Sequence, residues 1–445
     1  MAKYDEHHTL PKGLLLCNYK PNQGAVTVES INTFLNQCKY PLFPYSMDPE
    51  FDATFSYEKF DFIIIHDSII PNLGGYIKEP VRERLRDFKG PIFQFIQDPY
   101  RSTEAMQDFI LDVGVEAVFT VYPVKTAKVI FNRLKSQKFF HYLTGYASHN
   151  LNMEKTVPLS DRKVFLGYRG REYPYWFGET INIKVQLAKR LKKELTRFSV
   201  KTDISTREKD RLYGRDWVKF LSSCRAIYAT ESDISFTDPT GQVAPWYSAL
   251  EGLNKTKGSN KKWDGSFVLD DPFFTEYAKF APTGVNVIPP RVFETICLRT
   301  ACILTEGDYS GILHPWRHYV PLKADLSNLE EVVEFVKDDK KLSLMVATAF
   351  SEIANNRKYT WRGYADFLDE SFESLLAKIN PRPFDQLLPL SKLRELTGPI
   401  FLTDNPHAMT IINPKNTVLS YQVKQRSRSV WRRALARIRK VTSQS

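Results

Sequence analysis

The sequence predicts an α/β protein made of two parallel-sheet domains. Three observations point there. Short continuous apolar runs alternate with stretches of helical periodicity. The alternation pauses in a polar stretch near 148–158 and then starts again. The chain has 445 residues, 42% hydrophobic and 25% charged, more than one ordinary core holds and enough for two α/β domains with additions.

In the first half, Gly13 to Cys17 reads as a strand, followed by the loop Asn22-Gln23-Gly24. Val28, Ile31 and Leu35 then recur at helical spacing. Phe60 to Ile65 is a buried strand ending in His66-Asp67-Ser68, and Val81 to Phe88 a charged helix. Pro91 to Ile96 is a strand ending in Gln97-Asp98-Pro99-Tyr100-Arg101, and Val115 to Val121 is another. Strands that are apolar throughout and lie between helices belong to a parallel sheet covered on both faces. Ligands meet such sheets at the carboxyl ends of strands, where these polar loops fall.

After the linker, Val164 to Tyr168 is a strand leading into Arg169-Gly170-Arg171, and a helix covers about 180–195. Phe198 to Ile204 is a weaker strand and Trp217 to Leu221 a short helix. Ala226 to Ala229 is a strand leading into Thr230-Glu231-Ser232. Residues 252–265, rich in Lys, Asn and Gly, read as an exposed excursion. Pro289-Pro290 open a helix to about Arg299, since proline suits the first helical turn. Ala301 to Leu304 is a strand, and Glu306 to Leu313 turns tightly into another helix. Leu329 to Val336 is helical, and Met345 to Ile379 forms two more helices. The expected domains are 1–150, 159–345, crossing helices at 346–380, and an extension at 381–445.

Composition narrows the function classes. No apolar run reaches the roughly 18 residues of a membrane-spanning helix. Met1 to Pro11 is polar and acidic, unlike a secretion signal, so a cytoplasmic location is expected. Five cysteines (Cys17, Cys38, Cys224, Cys297 and Cys302) form no CxxC pair and read as buried free thiols. The net charge of +11 is uneven: nine bases and no acid follow Asp404, leaving only +2 on the rest. The basic balance belongs to a tail and gives no reason to expect nucleic acid as a partner of the body. On a helical wheel Val430, Trp431, Ala434, Leu435, Ile438 and Val441 fall in an arc of roughly 140°, with five bases opposite. That basic amphipathic pattern, within 424–441, suits an anionic membrane surface. A docking helix or a disordered basic tail are the alternatives.

Several motifs bear on chemistry. Arg291 and Glu294 project from one helix face, where the carboxylate can accept both hydroxyls of a ribose; a surface ion pair is the plain alternative. Ser310-Gly311 fall where a helix would begin, and free backbone N–H groups there suit a diphosphate. Arg169-Gly170-Arg171 can clamp phosphates with two guanidiniums, or form a solvated turn. Glu231-Ser232 end another strand of the same sheet. In the first half His66, Asp67, Asp98 and Arg101 end neighbouring strands, where a His or Asp can take a proton from a hydroxyl; helix-capping aspartates are the alternative. His314 and His318 are four apart, but Pro315 interrupts a shared metal-binding helix face. The absence of GxGxxG, Walker, HExxH and GxSxG motifs speaks against dehydrogenases, P-loop NTPases, zinc proteases and α/β-hydrolases.

The ordered pieces Phe95-Ile-Gln-Asp98-Pro-Tyr-Arg101, Leu143-Thr-Gly-Tyr146, Gly167-Tyr-Arg-Gly-Arg171, Tyr213 to Gly241, Pro289-Pro-Arg-Val-Phe-Glu294, Tyr309-Ser-Gly-Ile-Leu and Arg317-His-Tyr-Val-Pro-Leu span about 12–375. Together they resemble bacterial glycosyltransferases of the family-1-like, CgeB-like group. The resemblance implies the GT-B fold, two facing Rossmann-like domains with a cleft between them. It implies a nucleotide-diphosphate sugar donor in the second domain and a glycan or lipid-linked acceptor in the first, in cell-surface polysaccharide synthesis. Donor residues would be Arg169, Gly170, Arg171, Glu231, Ser232, Arg291, Glu294, Ser310 and Gly311. Acceptor residues would be Gly24, Asp67 and Arg101, with Asp98 as first-choice base and His66 second. Such enzymes generally need no metal or other cofactor. Asp233-Ile234, Asp67 and Pro99 stand where that group would usually carry a glycine, an aromatic and an acid. A sugar-nucleotide 2-epimerase and a non-catalytic sugar-binding, membrane-held protein are the rival functions.

Overall fold

A computed structural model describes residues 10–18, 24–46, 57–72, 76–232, 237–256, 271–273, 275 and 286–382. The amphipathic tail at 424–441 and most of the excursion at 252–265 lie outside them.

The N-terminal lobe is a six-stranded, wholly parallel sheet. Its elements are β1 (Gly13–Cys17), α1 (Ala25–Asn36), β2 (Leu42–Ser46), β3 (Phe62–Ile65), α2 (Glu79–Asp87), β4 (Ile92–Ile96), α3 (Thr103–Asp112), β5 (Ala117–Thr120), α4 (Val124–Ile130) and β6 (Lys138–His141). The order is β2-β1-β3-β4-β5-β6. The chain adds β2 on one side of β1 and then reverses to build the rest on the other. The reversal opens a crevice beyond the ends of β1 and β3.

A short α5 (His149–Asn152) leads to the C-terminal lobe. There β7 (Val164–Arg169), α6 (Glu179–Glu194), β8 (Thr202–Ser205), α7 (Gly214–Ser223), β9 (Cys224–Ala229), α8 (Val243–Thr256), α9 (Pro290–Cys297), β10 (Ala301–Thr305) and β11 (Val320–Leu322) follow. They build a second parallel sheet, β11-β10-β9-β7-β8. Here too the order reverses, between β7 and β9. Then α10 (Leu329–Lys337) and α11 (Asp339–Ala349) close that lobe, and α11 runs into a π-helical turn at Phe350–Ala354. Last comes α12 (Trp361–Leu376).

This last helix packs on the N-terminal lobe. Its Trp361, Tyr364, Leu368 and Phe372 join the core of the first sheet. Phe372 stacks on Phe93 at 5.6 Å and Tyr364 on Tyr146 at 4.7 Å. Each such burial contributes about 1.5–3 kcal/mol, so the C-terminal chain is a structural part of the first lobe. The Trp361 indole also donates to Glu29 on α1 at 2.6 Å.

The lobes meet again between residues 100–104 and 238–239. Asp238 N–H donates to Tyr100 O at 2.7 Å and Glu104 N–H to Pro239 O at 3.0 Å, around a parallel bridge between Arg101 and Asp238. The Asp238 carboxylate meanwhile accepts from the N–H groups of Gly241, Gln242 and Val243, capping α8.

Two expectations are corrected. No α-helix starts within 306–313. A single 3₁₀ turn, Tyr309–Gly311, stands there, and Ser310 and Gly311 have φ of 59° and 67°. Left-handed residues cannot propagate a right-handed helix. The unpredicted strands β2, β6 and β11 all lie at sheet edges.

Candidate functional site

A cleft of about 370 Å³ lies at the carboxyl ends of the second sheet and is closed on its far side by Gly24, Ala25 and Val26 of the first lobe. It opens where the strand order reverses: Arg169 ends β7, Gly170 follows it and Thr230 follows β9. Among the described residues five basic side chains line it, Arg169, Arg171, Lys184, Arg211 and Arg291, against one carboxylate, Glu294. Gly170 is required there, because a β-carbon would stand 2.3 Å from the Tyr168 hydroxyl.

Helix α9 supplies two of these groups. Pro290 opens it, and Val292, Phe293, Ile296 and Cys297 are buried against the sheet. Arg291 and Glu294 are thereby left half-buried on the cleft side. They do not pair with each other. Arg291 donates to the Arg169 carbonyl at 2.7 Å. The Glu294 carboxylate accepts from the Trp217 indole N–H at 2.8 Å.

Arg171, Lys184 and Arg291 have no carboxylate ion pair among the described residues. Lys184 projects from α6 over the ring of Tyr173, 5.0 Å from its centre, and Arg171 covers the same ring at 4.9 Å. Burial in the cleft wall, then repulsion from Arg291 and Arg171, push the Lys184 pKa down to about 7. Crowded like charges of this kind are stabilised by a polyanion. Arg169 behaves differently. Its guanidinium donates to the carboxylate and carbonyl of Asp203 at 2.8 and 2.9 Å and lies 4.3 Å over the Phe220 ring. Arg169 thus lines the cleft while its hydrogen-bonding fork is engaged elsewhere.

The remaining second-lobe candidates separate. Ser232 lines the cleft and bridges to Val287 through two backbone hydrogen bonds. Glu231 is buried and accepts from Tyr309 N–H at 2.5 Å, so it braces the 307–309 turn from inside. The Gly311 N–H is taken by the Asp308 carbonyl at 2.9 Å, and the Ser310 hydroxyl accepts from Ile288 N–H at 3.3 Å. Neither residue lines the cleft.

On the N-terminal side, Asp98 is open to water yet hemmed in by protein beyond its first contacts. That surrounding burial raises its pKa; Asp67 adds to the rise, while Arg101, a hydrogen bond with Tyr100, and Arg171 of the other lobe oppose it. His66 is fully buried. Its Nε2 lies 3.0 Å from Ser30 Oγ, and its Nδ1 lies 2.9 Å from Ser68 Oγ and 3.1 Å from Asp67 Oδ1. Both nitrogens are engaged within the lobe. Asp67 accepts from the Tyr142 hydroxyl at 2.9 Å. The Arg101 guanidinium is held among Tyr100, Trp176 and Phe177, 5.3–5.6 Å from each ring centre. It serves the junction between lobes. Lys184, Trp217 and Arg211 were not singled out from the sequence. Lys184 carried a signal: it occupies the i+3 place of the stripe Ile181, Val185, Ala188, where an apolar residue is expected.

Two doubly wound parallel sheets turn the carboxyl ends of their strands to one cleft, and the last helix returns to the first lobe. The fold is GT-B. No family model matches the chain. A 77-residue stretch is 31% identical to uncharacterized protein 027R of Frog virus 3, covering 17% of this chain and 8% of that protein. The chain thus spans under a tenth of that curated relative's length. Among solved structures, the chain is similar to Anabaena Alr3699/HepE in complex with UDP-glucose. That match has 12% identity, 82% and 100% of the two chains covered, and a TM-score of 0.43. It is also similar to an alpha-glucosyltransferase in complex with UDP and a 13-mer DNA containing a HMU base. There the identity is 7%, with 83% and 100% covered and a TM-score of 0.49. Among the described residues no helix is long and apolar enough to cross a membrane, and no group of three His, Cys, Asp or Glu could hold a metal ion.

Proposed function

We propose that this GT-B protein is a glycosyltransferase moving a sugar from a nucleoside diphosphate to a hydroxyl of a glycan or lipid-linked acceptor. We place it with the CgeB-like group its sequence resembles, in cell-surface polysaccharide synthesis. The observation that carries the reading is the convergence of Arg171, Lys184 and Arg291, without carboxylate partners among the described residues, beside Glu294. Three cations suit the two phosphates, and an acid on the first turns of α9 suits the ribose hydroxyls.

In this reading the diphosphate lies against the cations, and the first lobe brings the acceptor. The acceptor oxygen bonds to the anomeric carbon as the bond to the diphosphate breaks and its electron pair leaves with the phosphate. Positioning and stabilisation of the leaving charge supply most of the rate. In an inverting reaction Asp98 takes the acceptor proton, and its raised pKa makes it a stronger base; removing such a base costs about 10²–10⁴ in rate. The segment 424–441 holds the protein at an anionic membrane face, which binding to phosphatidylserine vesicles would test.

The deciding assay incubates the protein with UDP-glucose and other nucleotide sugars, with and without acceptors. Because the cleft is cationic, duplex DNA belongs in the acceptor panel beside glycans and lipid-linked glycans. Transfer that depends on an acceptor is expected. A new nucleotide sugar formed without acceptor would make it an epimerase, and binding without consumption under any condition would make it non-catalytic.

A further inference from the structure

We propose that Trp217 is a positioning residue that makes the cleft selective for ribonucleotides, by holding the Glu294 carboxylate through its indole N–H. The inference rests on the donor reading above.

A glutamate side chain facing a cleft samples several rotamers, and fixing one has an entropic cost. Here the cost is met before any ligand arrives. The Trp217 indole fixes Glu294 Oε2 at 2.8 Å. Trp217 is itself held, stacked on Phe220 at 5.6 Å and 24°. Phe220 lies under the Arg169 guanidinium, which Asp203 clamps at 2.8 Å. A continuous series of contacts thus runs from the edge strand β8 to the carboxylate. Arg291, one turn earlier on the same helix, is drawn instead to the Arg169 carbonyl. Glu294 is therefore oriented and left without a neutralising partner on its own helix.

A carboxylate only accepts hydrogen bonds, and the indole takes one of its roughly four lone-pair positions. The positions that remain face a cleft whose other charged groups, among the described residues, are all cations. Such a group calls for neutral donors at fixed spacing, which the vicinal hydroxyls of ribose provide. A site built to bond a hydroxyl rejects the analogue lacking it far more strongly than a merely apolar pocket does. Discrimination of ribose from 2′-deoxyribose therefore depends on the orientation of Glu294, and so on the Trp217 N–H.

The test is calorimetric. UDP, GDP, ADP and CDP are titrated into the wild-type full chain, and the tightest is compared with its 2′-deoxy form on wild type, Trp217→Phe and Glu294→Gln. Phenylalanine keeps the stacking and removes the donor, and a melting curve confirms folding. Wild type should prefer the ribonucleotide by about tenfold or more, as expected for hydrogen bonds to a charged group. Trp217→Phe should bring that ratio towards one, the ribonucleotide weakening more than its 2′-deoxy form, which keeps the 3′-hydroxyl. If both nucleotides weaken equally, Trp217 is only structural and the proposal is overturned; an unchanged ratio overturns it too. Loss of the ratio in Glu294→Gln but not in Trp217→Phe would sink the tryptophan's role and leave the donor reading standing. No binding of any nucleotide by wild type would remove both.

Discussion

Gly241 and Ser102 meet where segment 100–104 of the first lobe packs on segment 238–241 of the second. A β-carbon built on Gly241 would stand 2.3 Å from Ser102 Oγ and 3.3 Å from Ser102 Cβ. Gly241 has a φ of +76° and Ser102 one of +47°. Both left-handed conformations sit in the segment where the two lobes share backbone hydrogen bonds.

That contact can be locked. The β-carbon separation is just below the usual disulfide range of about 3.5–4.5 Å, and the five native cysteines are buried. A Ser102→Cys/Gly241→Cys variant should crosslink under mild oxidation, seen as loss of two titratable thiols. Nucleotide exchange measured by stopped flow should slow when oxidised and recover with reductant. Thiols that stay free under oxidant would contradict this prediction.

Lys184 predicts a pH dependence. Its pKa falls from 10.5 to about 7 on folding, chiefly through burial. The unfolded chain therefore binds the extra proton between those values, and stability from this group rises with pH across that window. Below about pH 7 the buried charge is destabilising. Lys184→Met should accordingly raise the melting temperature at pH 6, with the gain shrinking by pH 9. A bound diphosphate favours the charged lysine, so nucleotide binding should take up a proton and weaken as pH rises above about 7. Calorimetry in buffers of different ionisation enthalpy reads that proton directly, and Lys184→Met should abolish it.

Asp98 and His66 should part company. Asp98→Asn should lower turnover by about 10²–10⁴ with nucleotide affinity little changed. His66→Ala leaves the Ser30 and Ser68 hydroxyls without their buried partner, so the expected loss is about 1–3 kcal/mol of stability. Turnover by its folded fraction should stay near wild type. Equal losses of turnover in both variants, at equal folded concentration, would contradict the assignment.

Arg169 and Arg171, two residues apart, should also differ. Arg171→Ala removes a cation with no carboxylate pair among the described residues and should weaken nucleotide binding about tenfold or more. Arg169→Ala removes the clamp on Asp203 and the cover of Phe220. Its main effect should be a lower melting temperature, with a smaller loss of affinity. Denaturation and titration of the two variants in parallel would separate these effects.

What the sequence disclosed follows from burial. Strands β1, β3, β4, β5 and β7 are covered on both faces and read as runs that are apolar but for Gln94 in β4 and the last residues of β5 and β7. Strands β2, β6 and β11 are edges. Pro44 and Pro321 interrupt two of them, as edge positions allow, and β6 begins with exposed Lys138. Arg171, Arg291 and Glu294 were visible because each follows or opens an element at the sheet's carboxyl end. Glu231 and Gly311 are tied to the 307–311 turn: Glu231 accepts from the Tyr309 N–H, and the Gly311 N–H is taken by the Asp308 carbonyl. Trp217 and the contact between Ser102 and Gly241 depend on chain segments far apart in sequence, and no local pattern announces them.

The most direct test of the account is calorimetric titration of the intact protein with nucleoside diphosphates at low salt and pH 6.5. The account predicts saturable one-to-one binding of at least one of them, abolished when Arg171 and Arg291 are both replaced by alanine in a chain that still folds. Absence of binding by every nucleoside diphosphate, or full affinity in that double variant, would contradict it.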